Sequence, residues 1–507
     1  MPKSRKTSTG GRNYYSPFLK QCFVTGAVCS NTVAFGCAFG FPAVLLPQLH
    51  APDTIIHLTT SSESWITSVM GISMLVGNFI TPTIMGRFGR KVALYAVSLP
   101  SIAGWFTMIL APGIEVLIIG RIILCLSFGI LLPLRSVLIG EYTSPVNRAA
   151  FLTIISVAQS FGIFFVHLIG SLLSWQKTAL ICVFFSFASL IMTIYSPESP
   201  SWLATRGRYD ECRAVFKWLR GDEEDDELEE MIKVTILMEK QKIEAKVQKQ
   251  RRLKEFSETV QKKEFYKPII LMFHAFCIVQ FSGASTMATY STKILGIILG
   301  PEANVFFWMI ALDTQRLISN AIAIYVINKI KRRTMIFSVG SLNVISHLAI
   351  AGYVYVKSEG IFTYDALWLP VVLVNIHFFT VATCMVPLPD VLAGEVFPLE
   401  YRSIGSSMSL VSLAVFSFIV LKTMPGLIES IGLDGTYAMY SAILTYNLFI
   451  IWLILPETKG KTLQQIEDEF RGRPLKPYEI ASRQSLQSDP VIAYKRKLSE
   501  RRLSAFC

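Results

Sequence analysis

The stretch IEVLIIGRIILCLSFGILLPLRSVLIGEYTSPVNR, residues 114–148, decides the fold of this chain. Its first part, 114–139, is longer than the ~20 apolar residues a helix needs to cross a bilayer. Only Glu115, Arg121 and Arg135 carry charge within it. It then stops at EYTSPVNR, where Glu141, a proline and Arg148 follow in quick order. The same acid-to-arginine spacing returns as EVFPLEYR, from Glu395 to Arg402, again after a long apolar run. Two copies of one span and its connector argue for a chain built twice from the same membrane-spanning unit.

Working outward, apolar segments of spanning length lie near 21–47, 64–85, 92–111, 114–139, 150–173, 177–195, 267–294, 303–327, 334–356, 366–394, 403–427 and 436–455. These lengths exclude a β-barrel, whose strands are ~10 residues long and alternate in polarity. The expected fold is an all-α membrane protein of twelve transmembrane helices in two pseudo-symmetric six-helix bundles. The composition agrees: 52% of the 507 residues are hydrophobic and 17% charged, against about a quarter charged in soluble domains. Mean hydropathy is +0.47.

The formal charge of +12 does not point to nucleic acid, because the lysines and arginines gather in the termini, the central loop and alternate connectors. That is the positive-inside pattern, and it places both termini in the cytoplasm. The chain divides into a tail (1–20), a six-helix bundle (21–196), a helical linker (197–266), a second bundle (267–456) and a second tail (457–507). Residues 1–20 are basic and Ser/Thr-rich, a cytoplasmic tail rather than a leader. In the linker, Ile232, Ile236, Ile243 and Val247 recur at helical spacing. The nine cysteines show no metal-like spacing, and no Walker loop, nucleophile elbow or metal cluster appears. Neither an enzyme nor a bound cofactor is expected.

The halves share further signals. GRFGRK at 86–91, with Arg87 and Arg90, joins the second span to the third. NKIKRR at 328–333, with Arg332, joins the eighth to the ninth. Each half closes on a proline and an acid, Pro197-Glu198 and Pro456-Glu457. Arg87, Arg90, Glu141, Arg148, Arg332, Glu395 and Arg402 are therefore the candidate gating residues. Glu141 with Arg148, and Glu395 with Arg402, are expected to pair between bundles and part as these rock.

At these motifs, and at PESPSWL (197–203), QFSGAS (280–285) and PETKGKTLQQIE from Pro456, the chain resembles the sugar porters of the major facilitator superfamily over about residues 20–470. SSESWITSVMGISMLVG (61–77) and LLPQL (45–49) resemble the insect trehalose-transporter branch. The resemblance implies the major facilitator fold, a central solute cavity, alternating access and a plasma-membrane location. It also implies a small-molecule solute, membrane lipids as surroundings, no nucleic acid, and function as a monomer.

The resemblance thins where sugar binds. One of two adjacent glutamines in the seventh span is Val279 here, leaving Gln280, and an asparagine has become Ser285. The fifth-span glutamine falls at Ser156, with Gln159 about a turn away. The tenth-span tryptophan is Asp390, and the eleventh-span Asn-Trp pair falls at Leu413-Ala414. Amides that bond sugar hydroxyls discriminate strongly through them, so their loss weakens the expected sugar site. Candidate solute contacts are Gln280, Ser285, Gln159, Tyr290, Arg316 and Asp390.

Charges at bilayer depth usually face a cavity and pair. Arg316 and Asp390 are expected to border the cavity and to pair or meet the solute; the local alternative is a pair with Asp313, three residues before Arg316. Arg135 is expected to snorkel to the interface. Proton-linked relatives carry an acid in the first span opposite the fourth-span arginine, here Arg121, but 36–40 reads GCAFG. The histidines read as core residues. The expected function is facilitative uniport of a small polar solute, a sugar such as trehalose or a hexose. The alternatives are a carrier of a charged organic solute, possibly proton-linked, and a non-transporting nutrient sensor.

Overall fold

In a computed structural model, residues 16–52, 54, 56–221, 228–233, 235–236, 260–360, 367–398 and 402–474 are described. Of the expected cytoplasmic tails (1–20 and 457–507), residues 1–15 and 475–507 lie outside them, as does the linker helix through Ile243 and Val247. Among the described residues there is no strand. The first bundle comprises α1 (Pro17–Leu49), α2 (Thr60–Arg87), α3 (Arg90–Ile109), α4 (Ile114–Tyr142), α5 (Pro145–Leu172) and α6 (Trp175–Tyr195). At 1.5 Å per residue, each is about 30 Å long or more, enough to cross a bilayer.

Two short helices follow, α7 (Pro200–Thr205) and α8 (Tyr209–Arg220). Leu203, Cys212 and Phe216 pack with Leu228, Met231 and Ile232 into a small separate core. The linker is tied to the first bundle, since Gln21 donates to the Leu219 carbonyl (3.1 Å) and Arg220 to that of Thr143 (2.9 Å). On this solvated face, the Arg213 hydrogen bond holds the Glu229 carboxyl below the ordinary glutamate range.

The second bundle departs from the simple spans read above. The seventh span is not one helix: α9 (Lys263–Phe281), α10 (Ala284–Thr289) and α11 (Ser291–Leu299) follow in series, broken first at Gly283, whose φ of 96° only glycine adopts readily. After α12 (Val305–Lys329) and α13 (Arg332–Ser358), the tenth span runs α14 (Trp368–Thr380), a π turn (Val381–Met385) and α15 (Pro387–Val396). Pro387 and Pro389 offer no N–H to the preceding turn, which widens so that the Val386 amide reaches the Val381 carbonyl at 3.1 Å. The last two spans form one element, α16 (Arg402–Ile454), bent at Gly432 with φ 74° and ψ 173°. Its two arms complete the twelve crossings. The terminal α17 (Leu463–Arg471) packs beneath α9, with Arg471 bonded to Glu264 at 3.2 Å.

Within the first bundle, α1 crosses α5 so closely that a Cβ on Gly36 would lie 2.1 Å from the Gln159 carbonyl oxygen. Small residues set such crossings in membranes, where backbone approach replaces the hydrophobic drive of water. The linker, the α2–α3 and α4–α5 connections and α17 share one end of the molecule, called here the linker face; the α1–α2 connection marks the far face.

Candidate functional site

At the linker face each half builds the same node. Arg90 donates to Glu141 through Nε (2.8 Å) and Nη2 (2.6 Å), and through Nη1 to the Met85 carbonyl (3.2 Å). Ser199 also donates to Glu141, while Glu198 accepts from the Arg90 and Lys91 amides at 2.9 and 3.2 Å. In the second half, Arg332 donates to Glu395 (3.0 Å) and the Ile327 carbonyl (2.8 Å), Thr458 to Glu395 (2.6 Å), and the Arg332 and Arg333 amides to Glu457 (3.1 and 3.2 Å). Glu198 and Glu457 thus cap α3 and α13, where a carboxylate meets open amides and the positive helix end.

The expected pairing is corrected by this geometry. Glu141 and Glu395 are taken by arginines of their own bundles. Arg148 donates to the Gly140 carbonyl (2.9 Å) and Arg402 to that of Gly394 (3.2 Å), each eight residues back. Arg87 lies over the Phe88 ring at 5.4 Å. The acids are fixed locally because the Pro-Glu segment folds back under the connector and brings a hydroxyl to the same carboxylate.

Toward the far face the two bundles are strapped together. Lys293 of α11 bonds the buried Glu63 of α2 at 2.9 Å, with His50 at 3.5 Å on the other oxygen. Lys422 of α16 donates to Ser64 (2.9 Å) and lies 3.8 Å above the Trp65 ring. Tyr290, expected at the solute, bonds Thr67 at 2.6 Å and the Leu421 carbonyl at 3.1 Å, so it belongs to this strap. Gly71 lets α2 meet α16: a Cβ there would lie 2.6 Å from the Phe418 amide nitrogen and 2.7 Å from the Ala414 carbonyl oxygen. A cleft of about 360 Å³ above the strap is lined by His50, Glu63, Tyr290 and Lys293.

The other candidates fall in three places. Gln280 and Ser285 bond each other across the α9–α10 break, and both are buried. Gln159 accepts from Arg135 at 3.0 Å. Arg135 therefore turns inward from α4 rather than snorkelling; Asp390 of α15 is exposed, and its charge acts on Arg135 without a direct contact. Arg316 does not pair with Asp390. It lies 3.7 Å from Asp313, one turn away on its own helix, and 4.6 Å from the Phe378 ring centroid. Sequence reading also missed the contact in which Asp313 reaches His167 of α5 at 2.5 Å. An acid and a histidine at matched depth in two apolar spans were the available signal. Arg121 is buried and donates to the carbonyls of Ala38 (2.7 Å) and Ile66 (3.2 Å). Among the described residues no group of three potential metal ligands occurs.

A family model described as "Sugar (and other) transporter" matches residues 12–470. The facilitated trehalose transporter Tret1 of Culex quinquefasciatus is 26% identical over 455 residues, covering 89% of this chain and 86% of that one. That of Aedes aegypti is also 26% identical over 455 residues, but the chain spans only 55% of its length. Among solved structures, the major facilitator superfamily proton:xylose symporter XylE bound to 6-bromo-6-deoxy-D-glucose superposes with a TM-score of 0.66 at 17% identity. The match covers 90% of this chain and 100% of that one. At that identity the likeness is one of fold.

Proposed function

The chain belongs to the sugar transporter family, and from that premise we propose that it carries a sugar, trehalose or a hexose, by facilitative uniport through alternating access. The linker face is cytoplasmic by the charge rule, the far face is the outer one, and the membrane is the plasma membrane. The domain order expected from the sequence is kept in this reading: two bundles, a cytoplasmic linker and two cytoplasmic tails.

The observation that carries it is the uneven seam between the bundles. On the outer side α2 and α16 are bonded at Ser64–Lys422 and at Thr67–Leu421, and packed at Gly71. Nearer the cytoplasm Arg135 and Asp390 face each other from α4 and α15 without closing into an ion pair. This is the form expected of a carrier shut outward, with its solute space reached from inside. Uniport is supported at Arg121, whose partners are two carbonyls where a proton-linked carrier of this family would present an acid.

Sugar chemistry suits Arg135, Gln159 and Asp390. A carboxylate accepts from two neighbouring hydroxyls, and guanidinium and amide groups donate to the remaining oxygens. The same two charges favour a second reading, a charged or zwitterionic organic solute. Uptake of trehalose, glucose and a panel of organic ions into proteoliposomes separates them. The sugar reading expects saturable sugar uptake, with Asp390→Asn raising KM about tenfold through loss of a charged acceptor worth ~1.5–3 kcal/mol. Uptake of an organic ion but of no sugar overturns it.

A further inference from the structure

We propose that His167 and Asp313 hold one exchangeable proton between the two bundles, so that shutting the outer half takes up a proton from the outer side. The inference rests on the alternating-access reading and adds an effector to it. His167 Nε2 lies 3.1 Å from the Gly40 carbonyl oxygen, and Nδ1 lies 2.5 Å from Asp313 Oδ2. A carbonyl only accepts, so Nε2 carries hydrogen. A neutral imidazole has one N–H, and an ionised carboxylate only accepts. Without a further proton, the Nδ1 lone pair would face a carboxylate oxygen at hydrogen-bond distance. One proton must therefore lie in the contact, on the imidazole or on the acid.

Water cannot take its place, because the two side chains are 0% and 3% exposed. The surroundings from each packed element are these. Helix α1 supplies the Gly40 carbonyl, and α12 supplies Arg316, 3.7 Å from the other Asp313 oxygen. Helix α14 supplies the Phe378 ring beneath Arg316. Among the described residues, Arg316 is the charged side chain recorded against the pair, and its charge keeps the acid from being the only ion there.

The contact joins α5 of one bundle to α12 of the other, so it exists only while these are together. A free imidazole in water is half protonated near pH ~6.5. Above that pH, closing takes up one proton and is disfavoured by up to tenfold per pH unit. Below it the proton is already bound, and closing no longer depends on pH. The closed pair is shut off from the inner space and regains water when the outer half opens. The proton then returns to the side it came from, altering rate without driving accumulation.

The test is a pH series of pulsed electron–electron distance measurements in proteoliposomes, with spin labels on Ser61→Cys and Ser430→Cys. Both positions are exposed beside the Thr60–Glu429 contact. The background carries Cys22→Ser, Cys29→Ser, Cys507→Ser and His50→Gln, the last to remove the other histidine of the strap. The short-distance population should fall above pH ~6.5 by up to tenfold per unit. Asp313→Asn combined with Arg316→Gln should stay closed and lose the pH response, since an asparagine amide donates to a neutral Nδ1. His167→Gln should lose it too. A population flat from pH 6 to 9, or variants that keep the parent slope, overturns the proton site. A distance that moves with sugar but not with pH overturns the proton site alone; one that moves with neither overturns alternating access as well.

Discussion

Gly71→Val should lower sugar uptake about a hundredfold while leaving the protein folded. The added carbon atoms would meet the Phe418 amide and the Ala414 carbonyl, both backbone atoms with no rotamer to escape into. Overpacking of this kind costs ~1–3 kcal/mol, and contact with backbone belongs at the upper end. Three kcal/mol is roughly a hundredfold in a population. Under the proposed alternating access the cost falls on the outward-shut state alone, because opening outward would separate α2 and α16 there. Solute binding from outside and thermal stability in detergent should therefore be kept. Uptake at the parent rate would show that this crossing does not form during transport.

Glu395→Ala should be the most damaging change at the linker face. It strands the Arg332 guanidinium, whose side chain is 3% exposed, opposite an empty site. Removing one partner of a buried pair costs ~3–5 kcal/mol, whereas replacing both with apolar groups is often nearly neutral. Thermal unfolding in detergent should show a large loss for Glu395→Ala and recovery when Arg332→Leu is added. Glu141→Ala should cost less, because Arg90 and Glu141 are 17% and 14% exposed and water softens the loss. Equal losses in the two halves would mean that burial does not set the strength of the node.

The spans were legible because a bilayer imposes its thickness on any helix that crosses it. The repeat was legible because both connectors keep the same residue types at the same intervals. Its meaning was not. Arg90 bonds an acid 51 residues on, and its amide bonds another 108 residues on, separations that no local period reveals. Glu141 and Arg148 looked like a pair because they are neighbours in sequence.

The interior charges follow the same division. Asp313 and Arg316 are three apart on one helix, so their contact could be read as the local alternative. His167 and Asp313 lie 146 residues apart in different bundles, and only their matched depth in two apolar spans pointed to the contact. Arg135 reads from the sequence as a long charged side chain that snorkels to the interface. Its place was instead decided by Gln159 and Asp390, which the packing of α4, α5 and α15 brings round the same space.

The most direct test of a facilitative sugar carrier is the plateau of radiolabelled trehalose and glucose uptake into proteoliposomes, with and without an imposed inward proton gradient. Facilitative transport predicts saturable entry of at least one sugar, rising to equal concentrations inside and out, with the gradient changing the rate but not the plateau. Accumulation above the external concentration under the gradient, or entry of neither sugar, would contradict it.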